Sequence, residues 1–253
     1  MIASLPMYDR PETRGAYDRL WTRIRDDLRA AWGAKTPLPE TLSHDVNPWD
    51  HWQSPVLLLS QTCGLPFRSA LHANVTLIGT PDYGLPGCRP GYYNSVLVMN
   101  AKDATTDPEG WRNLTLAVND PRSQSGWAAP LTFMKARGLD FASTLETGSH
   151  RNSALAVAKG QADIAAIDAQ TWRMIQRWDA FAEVLSEVTR TAETPGLPLI
   201  TRQPAHLRSL QATIRHHLTN LPAEDASILN TKSLITIAKE DYLAVPTPKI
   251  AVK

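Results

Sequence analysis

The sequence predicts an α/β protein in which helices cover both faces of mainly parallel sheets. Near-continuous apolar runs bounded by turn residues recur along the chain, and amphipathic helical patterns lie between most of them. Two segments rich in proline and glycine punctuate the alternation. With 253 residues, 43% hydrophobic and 20% charged, the chain can bury one large core or two smaller ones.

A short apolar strand is expected at Ile2 to Leu5. From Gly15 onward, Tyr17, Leu20, Trp21, Ile24, Leu28 and Ala31 fall on one face with arginines and aspartates opposite, as an amphipathic helix requires. Further strands are predicted at VLLLS from Val56, VTLIG from Val75, SVLVMN from Ser95, LTLAVN from Leu114 and DIAAID from Asp163. Late in the chain, Leu207, Leu210, Ile214 and Leu218 mark another amphipathic helix, which needs an existing surface to cover. The sequence holds neither an internal repeat nor a low-complexity segment.

The segment Thr80 to Gly91 (TPDYGLPGCRPG) packs three prolines and three glycines between two strands, and TAETPGLPLITR from Thr191 has a similar crossing character. Two crossings imply two lobes. The first is then discontinuous, residues 1–92 plus 195–253, and the second covers residues 93–194, with bending expected near Pro90 to Tyr93 and Thr191 to Leu197.

The formal net charge of +1 argues against a nucleic-acid partner, so any anion binding must be local. No run approaches the roughly 20 apolar residues that span a bilayer. The opening MIASLPMYDRPE has no basic n-region, apolar h-region or cleavage signal, so the expected location is periplasmic if an export signal lies upstream or was removed, and otherwise cytoplasmic. His44, His51, the His216-His217 pair and the two cysteines make no four-ligand set, and neither a metal nor another cofactor is expected. The chain has no P-loop or dinucleotide fingerprint, and SQSGW is not the Gly-x-Ser-x-Gly turn of an esterase, so catalysis is not expected.

The most informative segment is LTLAVNDPRSQSGWAAPLTFMKARG, a buried strand, an Asp-Pro turn and a helix through about Arg137. A helix N-terminus offers unpaired N–H groups and the positive end of the dipole, so Ser123, Gln124, Ser125 and Gly126 suit an anion cradle. Capping of the helix by a serine fits the same residues equally well. A second segment, LETGSHRNSALAVAKGQADIAAIDAQTW, places His150 at a helix start and Asp168 at a strand end, where ligands bind in open α/β sheets. A structural histidine and an aspartate N-cap are the plainer roles for the same two positions. Cys63 and Cys88 would close a loop of about 26 residues and are expected to pair in an oxidising compartment, with two buried thiols in a cytosolic protein as the alternative.

NDPRSQSG, followed by TGSHRNSALAVAKGQADIAAID and TPGLPLIT, resembles the phosphonate-binding family of ABC-transporter solute receptors. SQTCGLPF and GTPDYGLPGCRPGYYNS resemble a branch with a cysteine in each segment, which implies a Cys63–Cys88 disulfide. The resemblance implies a type II periplasmic binding protein fold, with two α/β lobes, a two-crossover hinge and a phosphonate, phosphite or phosphate held in the cleft. It also implies a monomer whose partner is a membrane permease. Carried over by position, Ser123, Gln124 and Ser125 fall on the anion-cradling turn, where Ser-Thr-Ser is usual; Gln124 departs from that pattern by losing one hydroxyl. His150 and Asp168 are expected to reach the ligand from the second lobe, and Tyr8, Gln61, Thr62 and Tyr93 from the first lobe and the crossover. A carboxylate at Asp168 beside an anion calls for a ligand that presents a proton or an amine there. Two alternatives share the fold: a cytoplasmic enzyme of the pyrimidine-precursor type, and the ligand-sensing domain of a regulator.

Overall fold

The computed structural model describes residues 1–248. Strand β1 (Ile2–Ser4) leads to α1 (Pro11–Trp32), α2 (Pro48–Gln53), β2 (Leu57–Gln61), α3 (Gly64–Pro66) and β3 (Thr76–Asp82). After β4 (Tyr92–Tyr93) come β5 (Ser95–Asn100), β6 (Thr115–Val118), α4 (Ala129–Lys135), β7 (Ser143–Glu146), α5 (His150–Ala158), β8 (Ile164–Asp168), α6 (Ala169–Trp178) and β9 (Leu185–Arg190). The chain returns through β10 (Thr194–Pro195) to β11 (Leu199–Thr201), α7 (Leu207–Thr219), α8 (Ala223–Leu229), β12 (Ser233–Ile235) and α9 (Lys239–Leu243).

These elements divide into two compact units, one of Met1–Tyr92 with Pro195–Leu243 and one of Tyr93–Thr194 with the tail from Ala244. The sequence had placed that tail in the first lobe. Buried Tyr242 of α9 is the last anchor to the first unit, and residues 244–248 form no further strand or helix; residues 249–253 lie outside the described residues. The crossing segments β4 and β10 pair as a two-stranded sheet. Beside them Gly196 donates its N–H to the Gly91 carbonyl at 2.9 Å, and a Cβ on Gly196 would stand 2.6 Å from that oxygen, so only glycine permits the approach.

In the first unit the strand order is β1-β2-β11-β3-β12. β1 and β2 are parallel, β11 opposes β2 and β3, and β12 opposes β3. The three earlier strands therefore share one direction, and the two strands of the returning chain run against it. A strand as uniformly buried as Leu57–Gln61 reads the same whichever way its neighbours run, so the inserted return strands left no mark in the sequence. Trp52, Phe67, Leu71, Ile200 and Tyr242 share one core cluster under this sheet.

Helix α1 starts earlier than the apolar pattern alone predicts. Pro11 stands at its first turn, where the missing N–H has no role, and Thr13 Oγ1 accepts the Arg10 N–H at 3.0 Å. Its predicted face, Tyr17, Leu20, Trp21, Ile24 and Leu28, is buried, while Ala31 at the last turn is exposed. Leu210, Ile214 and Leu218 of α7 are buried as well, and α7 packs on α1. Arg19 and Arg23 of α1 both reach buried Asp225 of α8 at 2.6 Å, which holds its carboxyl below the usual range against the opposing effect of burial.

In the second unit the order is β7-β6-β8-β5-β9, with β6 parallel to β7 and β8 and β5 antiparallel to β8 and β9. Its core includes Val96, Leu97, Val98, Leu116, Ile164, Ala165 and Ile167, all shielded from solvent. Edge strand β7 (STLE) is mostly exposed and has no apolar alternation, which is why its sequence gave no strand signal. Among the described residues no helix is long and apolar enough to cross a membrane.

Candidate functional site

Three parallel strands of the second unit end side by side, and each is followed by a capped helix start. After β6, Ser123 takes the N-cap position of a π-turn (Gln124–Ala128) that runs into α4, and its Oγ accepts the Gly126 N–H at 3.0 Å. After β7, Ser149 accepts the Asn152 N–H at 3.1 Å and opens α5 at His150. After β8, Asp168 Oδ1 accepts the N–H groups of Gln170 at 2.8 Å and Thr171 at 3.0 Å and opens α6. Because β7, β6 and β8 are neighbours pointing the same way, all three helix N-termini converge on one sheet edge. Their partial positive charges add there, which favours an anion without any net charge on the protein.

Side chains join these starts together. Ser125 Oγ lies 2.9 Å from His150 Nε2, linking the turn after β6 to the first residue of α5. His150 retains some exposed surface, yet its Nδ1 is fully enclosed and makes no hydrogen bond. Burial lowers the imidazole pKa from its usual 6.5 to about 4, opposed only in part by the Ala166 carbonyl, so the ring is neutral at physiological pH. Gly126 is wedged against both neighbours. A Cβ there would overlap Asn119 Oδ1, stand 2.8 Å from Asn119 Cγ and 3.0 Å from His150 Cε1.

Of the predicted residues, Ser123, Gln124, Ser125, Gly126 and His150 form one cluster. Asp168 lies on the same sheet edge through β8, opposite Ser95 of β5, and the Ala169 N–H donates to the Asn94 carbonyl at 3.1 Å. Gln124 opens the π-turn and accepts the Ala129 N–H through its carbonyl. Tyr93 is buried in β4. Ser123 is occupied as a cap; Ser125, two residues further on, meets His150 and, among the described residues, makes no bond to the backbone.

The first-unit candidates have a different character. Gln61 donates its side-chain amide to the Tyr83 hydroxyl at 3.2 Å and the Leu197 carbonyl at 3.1 Å, so both of its hydrogens are used inside the unit. Thr62 donates its N–H to the Pro198 carbonyl at 3.0 Å and its hydroxyl to the Cys63 carbonyl at 3.4 Å. Tyr8 is buried, with its ring edge-on to Tyr83 at 5.1 Å between centroids. Cys63 and Cys88, expected to be bridged, are each half-buried.

Sequence reasoning missed Asn119, Asn94 and Thr147. Asn119 and Asn94 each enclose an Oδ1 that makes no hydrogen bond, and Thr147 ties the Val118 carbonyl at 3.2 Å to Ser153 Oγ at 2.7 Å. The available signal was position alone, since both asparagines abut a strand on the same sheet edge. Among the described residues no cluster of three or more His, Cys, Asp or Glu could hold a metal ion.

Comparison with known proteins agrees with this architecture. The structure matches PhnD1 from Prochlorococcus marinus in complex with methylphosphonate with a TM-score of 0.70 and 14% identity, covering 95% of this chain and 94% of that one. It matches a binding protein component of an ABC phosphonate transporter from Pseudomonas aeruginosa with a TM-score of 0.67 and 19% identity, covering 95% and 82% of the two chains. A protein from Xanthomonas citri bound to chloride ion, XAC2383, matches with a TM-score of 0.67 and 15% identity over 95% and 92%. At such identities the likeness establishes the fold, that of the periplasmic binding proteins. No curated protein matches the sequence. Residues 59–242 match the family described as ABC transporter, phosphonate, periplasmic substrate-binding protein. The match covers well over half of the chain, which therefore belongs to the phosphonate-binding family of periplasmic substrate-binding proteins of ABC transporters.

Proposed function

We propose that the chain is a monomeric solute receptor that delivers a small phosphorus oxyanion, a phosphonate, phosphite or phosphate, to a membrane permease. The observation that supports this reading best is the convergence of three capped helix starts on one edge of the second-unit sheet, with Ser125 and His150 joined across two of them. Ser125 and the N–H groups of the turn supply donors to phosphoryl oxygens, Gly126 lets Asn119 and His150 close on the turn, and Asp168 favours a ligand carrying a proton or an amine. Tyr8, Thr62 and Tyr93 complete the proposed ligand set. The reading carries no catalytic step: a His150 ring with a pKa of about 4 is a weak base at neutral pH, and Ser125 is accordingly a hydrogen-bond donor and not a nucleophile.

Titration calorimetry with phosphate, phosphite, methylphosphonate and 2-aminoethylphosphonate, with sulfate as the control, tests this reading. Saturable binding of at least one phosphorus oxyanion in preference to sulfate is expected. Absence of binding to all four, or an equal response to sulfate, overturns it.

A further inference from the structure

Asn119 follows β6 directly, and its partly buried side chain makes no hydrogen bond among the described residues. The two ends of its carboxamide differ in their surroundings. Oδ1 is enclosed and lies against Gly126, where a Cβ would overlap it. Nδ2 is not enclosed, and because Cγ stands only 2.8 Å from the place of that Cβ, the amide hydrogens are open beside the same turn. Exchanging the two ends is unfavourable. An NH2 group turned inward would bury two donor hydrogens without a partner, which proteins tolerate less than an under-satisfied oxygen. It would also press those hydrogens on the Gly126 Cα–H, where an oxygen makes a weak favourable contact.

An enclosed oxygen without a partner carries a desolvation penalty that a small apolar side chain in its place would avoid. The arrangement therefore does little for folding. What it presents is a neutral donor at the sheet edge where three helix N-termini converge. Arg122, the one cation in the sequence between β6 and the π-turn, is paired with Asp120 at 3.0 Å, so the loop offers an anion donors rather than net charge. We infer that Asn119 is a specificity residue: its side-chain NH2 donates to a deprotonated oxygen of the oxyanion, with the amide held the right way round by Gly126. This rests on the proposed receptor function. Asp168 calls for a proton or an amine on the ligand; Asn119 calls for a bare oxygen.

The test is to titrate wild type, N119A and N119D with phosphate, phosphite, methylphosphonate and 2-aminoethylphosphonate by calorimetry, and to melt all three proteins without ligand. N119A should bind roughly tenfold more weakly than wild type, the effect of losing a hydrogen bond to a charged acceptor. It should nevertheless melt no lower, because the side chain it removes made no hydrogen bond and enclosed an unpaired oxygen. N119D puts a carboxylate where the donor stood and should bind more weakly still. An N119A protein that binds as tightly as wild type overturns the inference, and so does an N119D protein that does. A loss of affinity in N119A matched by a fall in melting temperature also overturns it, since that marks a structural asparagine. If wild type binds none of the four ligands, the receptor function fails and this inference falls with it; if wild type binds and N119A equals it, the receptor function stands and only the role of Asn119 fails.

Discussion

The strand ends of the two units handle buried polar groups differently. At the end of β2 in the first unit, Gln61 and Thr62 are tied to Tyr83, Leu197, Pro198 and Cys63, so their donors serve the unit's own loops. At the ends of β6 and β8 in the second unit, Asn119 and Asn94 keep an enclosed oxygen without a hydrogen bond, and Ser125 is bonded only to a side chain. Buried polar atoms left open carry a desolvation penalty that folding alone does not justify. The first strand end spends its side-chain donors on the unit's own loops, and the second keeps acceptor oxygens open.

The largest expected effect is on acid stability, and it belongs to the second unit. His150 titrates at about 4 when folded and near 6.5 when unfolded, so its neutral form stabilises the native state fully above about pH 6.5, and that contribution is lost as pH falls toward 4. Roughly 2–3 kcal/mol is at stake after allowance for the partly exposed residue. His51, also lowered by burial, adds loss in the same direction, whereas His44, raised by Asp18 and Asp9, contributes stability below about pH 6.5 that disappears as pH rises. Denaturant melts of wild type and H150Q between pH 7 and 5 isolate the His150 part. Parallel curves for the two proteins would show that the ring is not buried in solution.

Next in size is the serine pair. S125A should weaken oxyanion binding by roughly tenfold or more, the effect of removing a hydroxyl that donates to a charged acceptor, with little change in melting temperature. S123A should do the reverse, lowering stability by about 1 kcal/mol through the lost cap while affinity changes little. Calorimetry beside a thermal melt separates them, and identical behaviour would erase the distinction between cap and donor.

G126A tests the close packing that holds the turn against α5. The new methyl displaces Asn119 and crowds His150, with an overpacking cost of about 1–3 kcal/mol and a loss of binding. Replacing Asn119 with alanine in the same protein should restore part of the stability, because it removes the nearest obstruction. A G126A protein as stable as wild type would mean that the turn is looser than its geometry indicates.

The control comes from the first unit, where the smallest effect on affinity is expected. Q61A removes the partner of the Leu197 carbonyl and the Tyr83 hydroxyl, so stability should fall by about 1–2 kcal/mol with affinity left as it was. A loss of affinity without a loss of stability would return Gln61 to the ligand set and break the contrast between the two strand ends.

Much of this was readable from residues alone. The apolar runs fixed the strands because a buried strand must be apolar, and the 3.6-residue period of α1 and α7 named their buried faces correctly. NDPRSQSG and TGSH marked two helix starts because serine and aspartate side chains there satisfy orphaned N–H groups, a local requirement that sequence expresses directly. Asn119 and Asn94 were not legible, since an asparagine beside a strand is ordinary turn chemistry until its neighbours are known.

Local energetics thus determined from sequence which segments are strands and helices, where helices begin, and which turn suits an anion. Three-dimensional structure decided what each polar group there does: that Ser123 caps while Ser125 meets His150, and that Gln61 is committed to its own unit. The reason is range. A cap or an amphipathic face depends on residues within a few positions, whereas Ser125 and His150 are 25 residues apart and Gln61 and Leu197 are 136 apart. Such pairs meet only because strand order and direction bring their loops to one edge, and the antiparallel direction of β5 and β11 leaves no signal in the chain.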